Sequence, residues 1–142
     1  MLKPLGFFEE LFAHAPVGVS AGRLEEAIPS APAHDVARIA GYLESGHGIF
    51  DTMGAERDVV ADDRWILGAA SLQTDGLWVW RVDLAHYVRR YGVRLPDEFT
   101  EYVRSLQYAV PDVPDSRLAA LTAEILPRLG FRKDGGGGWQ PS

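Results

Sequence analysis

The stretch from Ser71 to Arg104, SLQTDGLWVWRVDLAHYVRRYGVRLPDEFTEYVR, constrains the fold more than any other part of the chain. It reads as strand, tight turn, strand, helix, short break and helix. Asp75-Gly76 is a favoured pair for a two-residue type I′ hairpin turn. The runs on either side, Trp65 to Thr74 and Leu77 to Val82, are therefore expected to pair as antiparallel strands. Successive side chains of a strand alternate faces, so Trp78, Trp80 and Val82 share one side, and Leu77, Val79 and Arg81 the other. Both sides are largely apolar. The strand is either central and covered on both faces, or one face is a binding surface.

Helices are expected around this hairpin. Asp83 stands where an N-cap is wanted, and Leu84, Tyr87, Val88 and Tyr91 line one face. That leaves His86, Arg89 and Arg90 toward solvent until Gly92 stops the helix. Pro96, Asp97 and Glu98 open a second helix with Phe99, Tyr102, Val103, Leu106 and Val110 as its inner stripe. A last helix starts near Ser116 and is capped by Gly130. Upstream, Leu5, Phe8, Leu11 and Phe12 can share the face of a short helix over 5–13, and Ser20 can cap another. The prolines in PSAPAH, residues 29–34, make a connector. Val36, Ile39, Ala40 and Leu43 then follow helical spacing up to Gly46. Ile49-Phe50 and Val59-Val60 read as two brief strands. Because the strands are contiguous, the spacing predicts an α+β fold. Its small antiparallel sheet has three or four strands, residues 47–82, between N-terminal and C-terminal helices. One domain over 1–133 is expected, with 134–142 as a flexible glycine-rich tail.

Composition narrows the function classes. The 142 residues include no cysteine, which removes disulfides and thiol or thiolate chemistry and fits a reducing cytoplasm. No run of apolar residues is long enough for a membrane span, and MLKPLGFFEELFAHA does not read as a signal peptide. The formal charge of −6 disfavours nucleic acid. Neither a membrane nor a nucleic-acid partner is expected.

Motifs for catalysis are scarce. His14, His34, His47 and His86 have no metal-binding spacing on one helix. His47 with Asp51 and Asp62 or Asp63 is the best candidate for a divalent ion, but solvated loop carboxylates explain the same residues better. Asp51, Glu56, Asp58, Asp62 and Asp63 cluster in sequence, where a close pair could divide acid and base roles. None of the seven serines lies in a GxSxG elbow, and GGGG at 135–138 matches no phosphate loop. No catalytic residue, metal or cofactor is assigned. Trp78 and Trp80 are candidates for stacking on a partner, or core fillers. Arg89 and Arg90, with His86 and Arg94, form a basic face in an acidic protein.

The run Thr74-Asp75-Gly76, Trp78-Val79-Trp80, Asp83-Leu84 to Tyr87-Val88 to Tyr91, and Leu95-Pro96 to Phe99 resembles a group of small actinobacterial proteins. In these a TDGxWxW hairpin precedes YVxxY and LPxxF helices. The resemblance covers roughly residues 42–105 and implies no activity or catalytic residues. More loosely, an acidic α+β chain without catalytic motifs is similar to immunity proteins of bacterial toxin systems. The expected function is a non-enzymatic protein-binding module, immunity-like. In it Asp58, Asp62 and Asp63 would cover a basic partner site, with Trp78, Trp80, Arg89 and Arg90 as further contacts. An enzyme or small-ligand protein with a nonstandard site is the first alternative. A structural homodimer through an edge strand or the helix at 97–110 is the second.

Overall fold

Asp75 builds the central hairpin. Its Oδ1 accepts the backbone N–H groups of Leu77 (3.0 Å) and Trp78 (2.7 Å), and its Oδ2 accepts the Tyr42 hydroxyl (2.6 Å). Thr74 Oγ1 donates to the Trp78 carbonyl (2.6 Å) and accepts from the Gly76 N–H (3.0 Å). A type I′ turn needs positive φ at both central residues. Here Gly76 alone has it, at +97°, and the loop is Gly76-Leu77 between Asp75 and Trp78. Glycine first is the type II′ arrangement, so the expected I′ turn is corrected by one residue.

The computed structural model describes residues 1–136 and 138–141. Its strands are β1 (Lys3–Pro4), β2 (His47–Phe50), β3 (Ala55–Arg57), β4 (Trp65–Leu67), β5 (Leu72–Thr74), β6 (Trp78–Arg81), β7 (Phe131–Lys133) and β8 (Trp139–Pro141). Its α-helices are α1 (Val36–Glu44), α2 (Leu84–Tyr91), α3 (Asp97–Ser105) and α4 (Asp115–Arg128). The fold is α+β. The main sheet has the order β1-β6-β5-β2, while β3-β4 and β7-β8 form separate ribbons. The antiparallel β2-β5-β6 unit lies inside the expected range. Its fourth strand does not: β1 comes from the N-terminus and runs parallel to β6.

That edge strand explains why 5–13 is not helical. The Lys3 and Leu5 N–H groups donate to the Leu77 and Val79 carbonyls (2.9 and 2.8 Å), so the backbone is committed to the sheet. Leu5, Phe8 and Leu11 are still buried, as their apolar spacing required, but from turns. The helix expected after Ser20 reduces to a 3-10 turn at Glu25–Ala27. The long strand expected over 65–74 breaks at a turn closed by the Ser71 N–H and the Gly68 carbonyl (2.9 Å). Its first half pairs with Ala55–Arg57 instead, and Val59-Val60 falls in the loop between them. The helix expected to reach Val110 ends at Ser105, and Gln107 and Tyr108 take positive φ beyond it. The glycine-rich end turns back, and β8 pairs antiparallel with β7. Gly137 and Ser142 of the expected tail lie outside the described residues.

β6 is covered on both faces, which settles the two tryptophans. Trp78 (4% exposed) and Trp80 (0%) lie in a core shared with α1, α2 and α3, and Val79 lies in a second core with α4. Phe99 meets both indoles edge-on, with ring centroids 5.4 and 6.1 Å away. Gly46 is needed for close approach: a Cβ there would stand 2.5 Å from the Trp80 ring. The two indole N–H groups differ. Trp80 Nε1 donates to the Leu43 carbonyl (3.2 Å), whereas the buried Trp78 Nε1 has no partner. Trp78→Phe also leaves a void but removes an unsatisfied donor, so it should cost only about 1 kcal/mol. Trp80→Phe loses a hydrogen bond and leaves a void, and should cost about 2 kcal/mol or more. Urea unfolding of the two variants measures the difference.

Candidate functional site

Asp58 organises the surface around the β3–β4 ribbon. It closes β3, and its backbone N–H donates to the Arg64 carbonyl (3.0 Å), so the loop 58–64 returns on itself. Its carboxylate is buried and fully engaged. Oδ1 accepts the N–H groups of Val60 and Ala61 (both 2.8 Å). Oδ2 receives His86 Nε2 (2.6 Å) and Arg90 Nη1 (3.2 Å), and the Tyr91 hydroxyl reaches both oxygens (2.9 and 2.8 Å). Burial alone would raise this carboxyl. The hydrogen bonds from His86, Ala61, Tyr91 and Val60 more than reverse it and hold it well below the ordinary aspartate range. Tyr87 adds a further tie, accepting the Val59 N–H at 3.0 Å, and its burial pushes the phenol up to about 12. His86, Tyr87, Arg90 and Tyr91 all come from α2, so one helix holds the loop.

Asp63 and Arg90 form a bidentate pair (both 2.7 Å), the fork geometry that suits guanidinium and carboxylate. Asp62 is bound by Arg57 from β3, and Arg89 by Glu44 from α1 (2.6 Å). The cleft of about 450 Å³ between Glu44, Arg64, His86, Arg89 and Arg90 is therefore electrically matched. The expected basic face is present at Arg89 and Arg90, but its cations already have carboxylate partners. His86 is half-buried on Asp58 rather than directed to solvent.

A second buried ion pair anchors the ribbon from beneath. Arg81 and Asp83 meet through two hydrogen bonds (3.1 and 2.9 Å), and both are buried. Arg81 also donates to Glu56 of β3 (3.0 Å) and to the Leu11 carbonyl. Asp83 therefore makes no N-cap bond, contrary to expectation. Burial pushes its carboxyl up to about 6 against the pull of Arg81.

What the ribbon leaves free is apolar. The register Ala55↔Leu67, Glu56↔Ile66 and Arg57↔Trp65 puts Glu56 and Ile66 on the inner face. There Glu56 meets Arg81 and Ile66 packs on the core. Ala55, Arg57, Trp65 and Leu67 form the outer face. Trp65 is 60% exposed and Leu67 81%, Met53 two residues before β3 is fully exposed, and the Arg57 guanidinium lies 5.1 Å from the centre of the Trp65 ring.

The seven residues expected to meet a partner thus divide. Trp78 and Trp80 are core and present no surface, because β6 is covered on both sides. Asp58 is buried. Asp62, Asp63, Arg89 and Arg90 are exposed but ion-paired within the chain. The divalent-ion set of His47 with the loop carboxylates does not assemble. His47 Nε2 lies 2.8 Å from the Pro111 carbonyl. Among the described residues no three His, Cys, Asp or Glu side chains are placed to hold a metal ion. Sequence reasoning missed Trp65, Leu67 and Met53. The available signal was the run Gly68-Ala69-Ala70, too small and turn-prone to continue a strand. Among the described residues no helix is long and apolar enough to cross a membrane. No protein-family model, no curated protein and no solved structure matches the chain.

Proposed function

We propose that this chain is a non-enzymatic protein-binding module whose contact surface is the outer face of the β3–β4 ribbon. The supporting observation is the exposure of Trp65 and Leu67 side by side on a two-stranded ribbon whose inner face is bolted to the body. Two-stranded ribbons are marginal by themselves. Here Asp58, Arg81 and α2 supply the rigidity, and Trp and Arg, which meet here as Trp65 and Arg57, are the residue types enriched at the energetic centres of protein interfaces.

Charge selects the kind of partner. Residues 51–67 carry the carboxylates of Asp51, Glu56, Asp58, Asp62 and Asp63 against Arg57 and Arg64. Arg81 and Arg90 from the body nearly balance them. The rim is slightly acidic on a chain of net charge −6, which disfavours a second copy and favours a partner with an apolar patch and a basic rim. An immunity-like role remains within this reading, with the ribbon face rather than the 58–63 carboxylates as its contact. A cytoplasmic setting belongs to it too, supported by the absence of cysteine.

The test is quantitative binding to a purified partner, first captured on tagged wild-type chain from its native source. Trp65→Ser/Leu67→Asp should weaken its Kd by 100-fold or more, with the circular dichroism spectrum unchanged, and Glu101→Ala on α3 should leave it unaltered. Affinity should also fall with added salt. A partner indifferent to the ribbon variant, or a chain that sediments as a homodimer through Trp65 and Leu67, would overturn the proposal.

A further inference from the structure

Four aromatic side chains that stay half-buried surround one cavity. Phe12 comes from the N-terminal turns, Phe50 from β2, Phe131 from β7 and Trp139 from β8. The cavity holds about 380 Å³, at the lower end of the range of small-molecule sites, about 300–1,000 Å³. Leu72 and Ala70 complete its apolar lining, and Thr52 and Arg81 are its polar residues. The walls are braced: Phe50 and Phe131 pack with ring centroids 5.4 Å apart, and Phe12 meets Phe7 edge-on at 5.1 Å. Leu72 and Arg81 are themselves buried, and they face each other across β5 and β6. The pocket therefore stands on the main sheet, with only the β7–β8 ribbon closing its far side.

Arg81 decides the ligand class. A free guanidinium in an apolar pocket would select a carboxylate. This one is held by both oxygens of Asp83 and by Glu56, and its Nη1 donates to the Leu11 carbonyl. One cation faces two anions, so the floor has no positive charge to offer. A ligand carboxylate entering here would be desolvated beside Asp83 and Glu56 without a counter-charge. A neutral ring system loses nothing on entry and gains contact with four aromatic faces. The Thr52 hydroxyl, which donates to Ser71 Oγ (3.3 Å), keeps an accepting lone pair, and one Arg81 N–H has no partner among the described residues, so a single hydroxyl or carbonyl on such a ring can be met.

We propose that the cavity between Phe12, Phe50, Phe131 and Trp139 binds a small, neutral, largely aromatic molecule carrying one polar oxygen, and that the Arg81–Asp83–Glu56 cluster excludes anionic analogues. The site is separate from the ribbon face, so either can fail without the other.

Two probes of the same shape and opposite charge test this: 2-naphthol, neutral at pH 7, and 2-naphthoate. Titrations are followed by the indole N–H resonance of Trp139 and the ring resonances of Phe50 and Phe131. The expected result is saturable shifts with 2-naphthol and binding at least 10-fold weaker for 2-naphthoate. Ala70→Phe, which fills the cavity, should abolish the 2-naphthol shifts. If that variant does not fold by circular dichroism, Phe131→Ala should weaken binding at least fivefold instead. No saturable shift at these residues, equal or tighter binding of 2-naphthoate, or binding indifferent to the folded variant would overturn the assignment.

Discussion

Asp58→Ala should lower the stability of the folded chain by about 3–5 kcal/mol, because two loop N–H groups and the Tyr91 hydroxyl lose their acceptor and each polar group left unmet costs about 1–3 kcal/mol. Its carboxylate is the common acceptor for His86, Arg90, Tyr91 and two loop N–H groups. Truncation leaves the Val60 and Ala61 N–H groups without their acceptor and removes the ties to His86, Tyr91 and Arg90, so that only the Asp63–Arg90 pair and the Val59–Tyr87 bond still join the loop to α2. Asp58→Asn keeps the shape and one acceptor oxygen, so about half that loss is expected. The pH dependence carries a sign. The folded-state carboxyl is held below its ordinary value, so its stabilisation is complete above roughly pH 4 and is lost as pH falls through the depressed value. Asp35, whose carboxyl Arg104 and Tyr108 hold down, adds to the same acid loss. The difference in urea midpoint between wild type and Asp58→Asn should therefore be smaller at pH 3 than at pH 7, without closing. Hydrogen exchange at Val60 and Ala61 should rise sharply in Asp58→Ala.

Arg81→Met should be comparably severe, about 3–5 kcal/mol at pH 8, and its cost should shrink in acid. Asp83 is buried and already pushed up to about 6 with Arg81 present. Without that cation its folded value rises further. A raised carboxyl means the folded state holds more protons than the unfolded one across the window above roughly pH 4. Stability then falls as pH climbs from the unfolded value to the folded value. Wild type should show a clear fall of this kind between about pH 4 and 6, opposite in sign to the Asp58 effect, so stability should be greatest in weak acid. Arg81→Met should show a steeper and longer fall. Arg81→Met/Asp83→Leu removes both charges and should be flat over that range, with most of the stability at pH 8 recovered. Thermal unfolding at pH 5 and pH 8 separates these outcomes. A loss in Arg81→Met that is equal at both pH values would mean that Asp83 is not the group left uncompensated.

The parts of the fold that the sequence made legible are those where local chemistry and burial agree. Thr74-Asp75-Gly76 announced a turn because the Thr74 and Asp75 side chains bond its backbone and Gly76 takes its positive φ, and α2 was legible because Leu84, Tyr87, Val88 and Tyr91 repeat at helical spacing. The N-terminal segment misled because Leu5, Phe8 and Leu11 have helical spacing, while their backbone is drawn to an open sheet edge that only the folded hairpin supplies. The candidate site was less legible. Asp58 and Asp63 read as part of a free acidic loop because Arg90 and His86, their partners, lie 27 to 32 residues away. Trp78 and Trp80 drew attention as a pair, yet an aromatic pair on a central strand is buried by whatever covers the sheet. Arg81 in an otherwise apolar strand was the overlooked cue: a cation there requires a buried anion, and Asp83 stands two residues on.

Photo-crosslinking from the ribbon tests the central claim most directly. A benzophenone side chain placed at Trp65 and irradiated in native-source lysate should give one dominant adduct. The same group at exposed Arg117 on α4 should not give it, and Leu67→Asp should abolish it. Adducts that are equal from both positions, or that persist with Leu67→Asp, would contradict the ribbon as the contact surface.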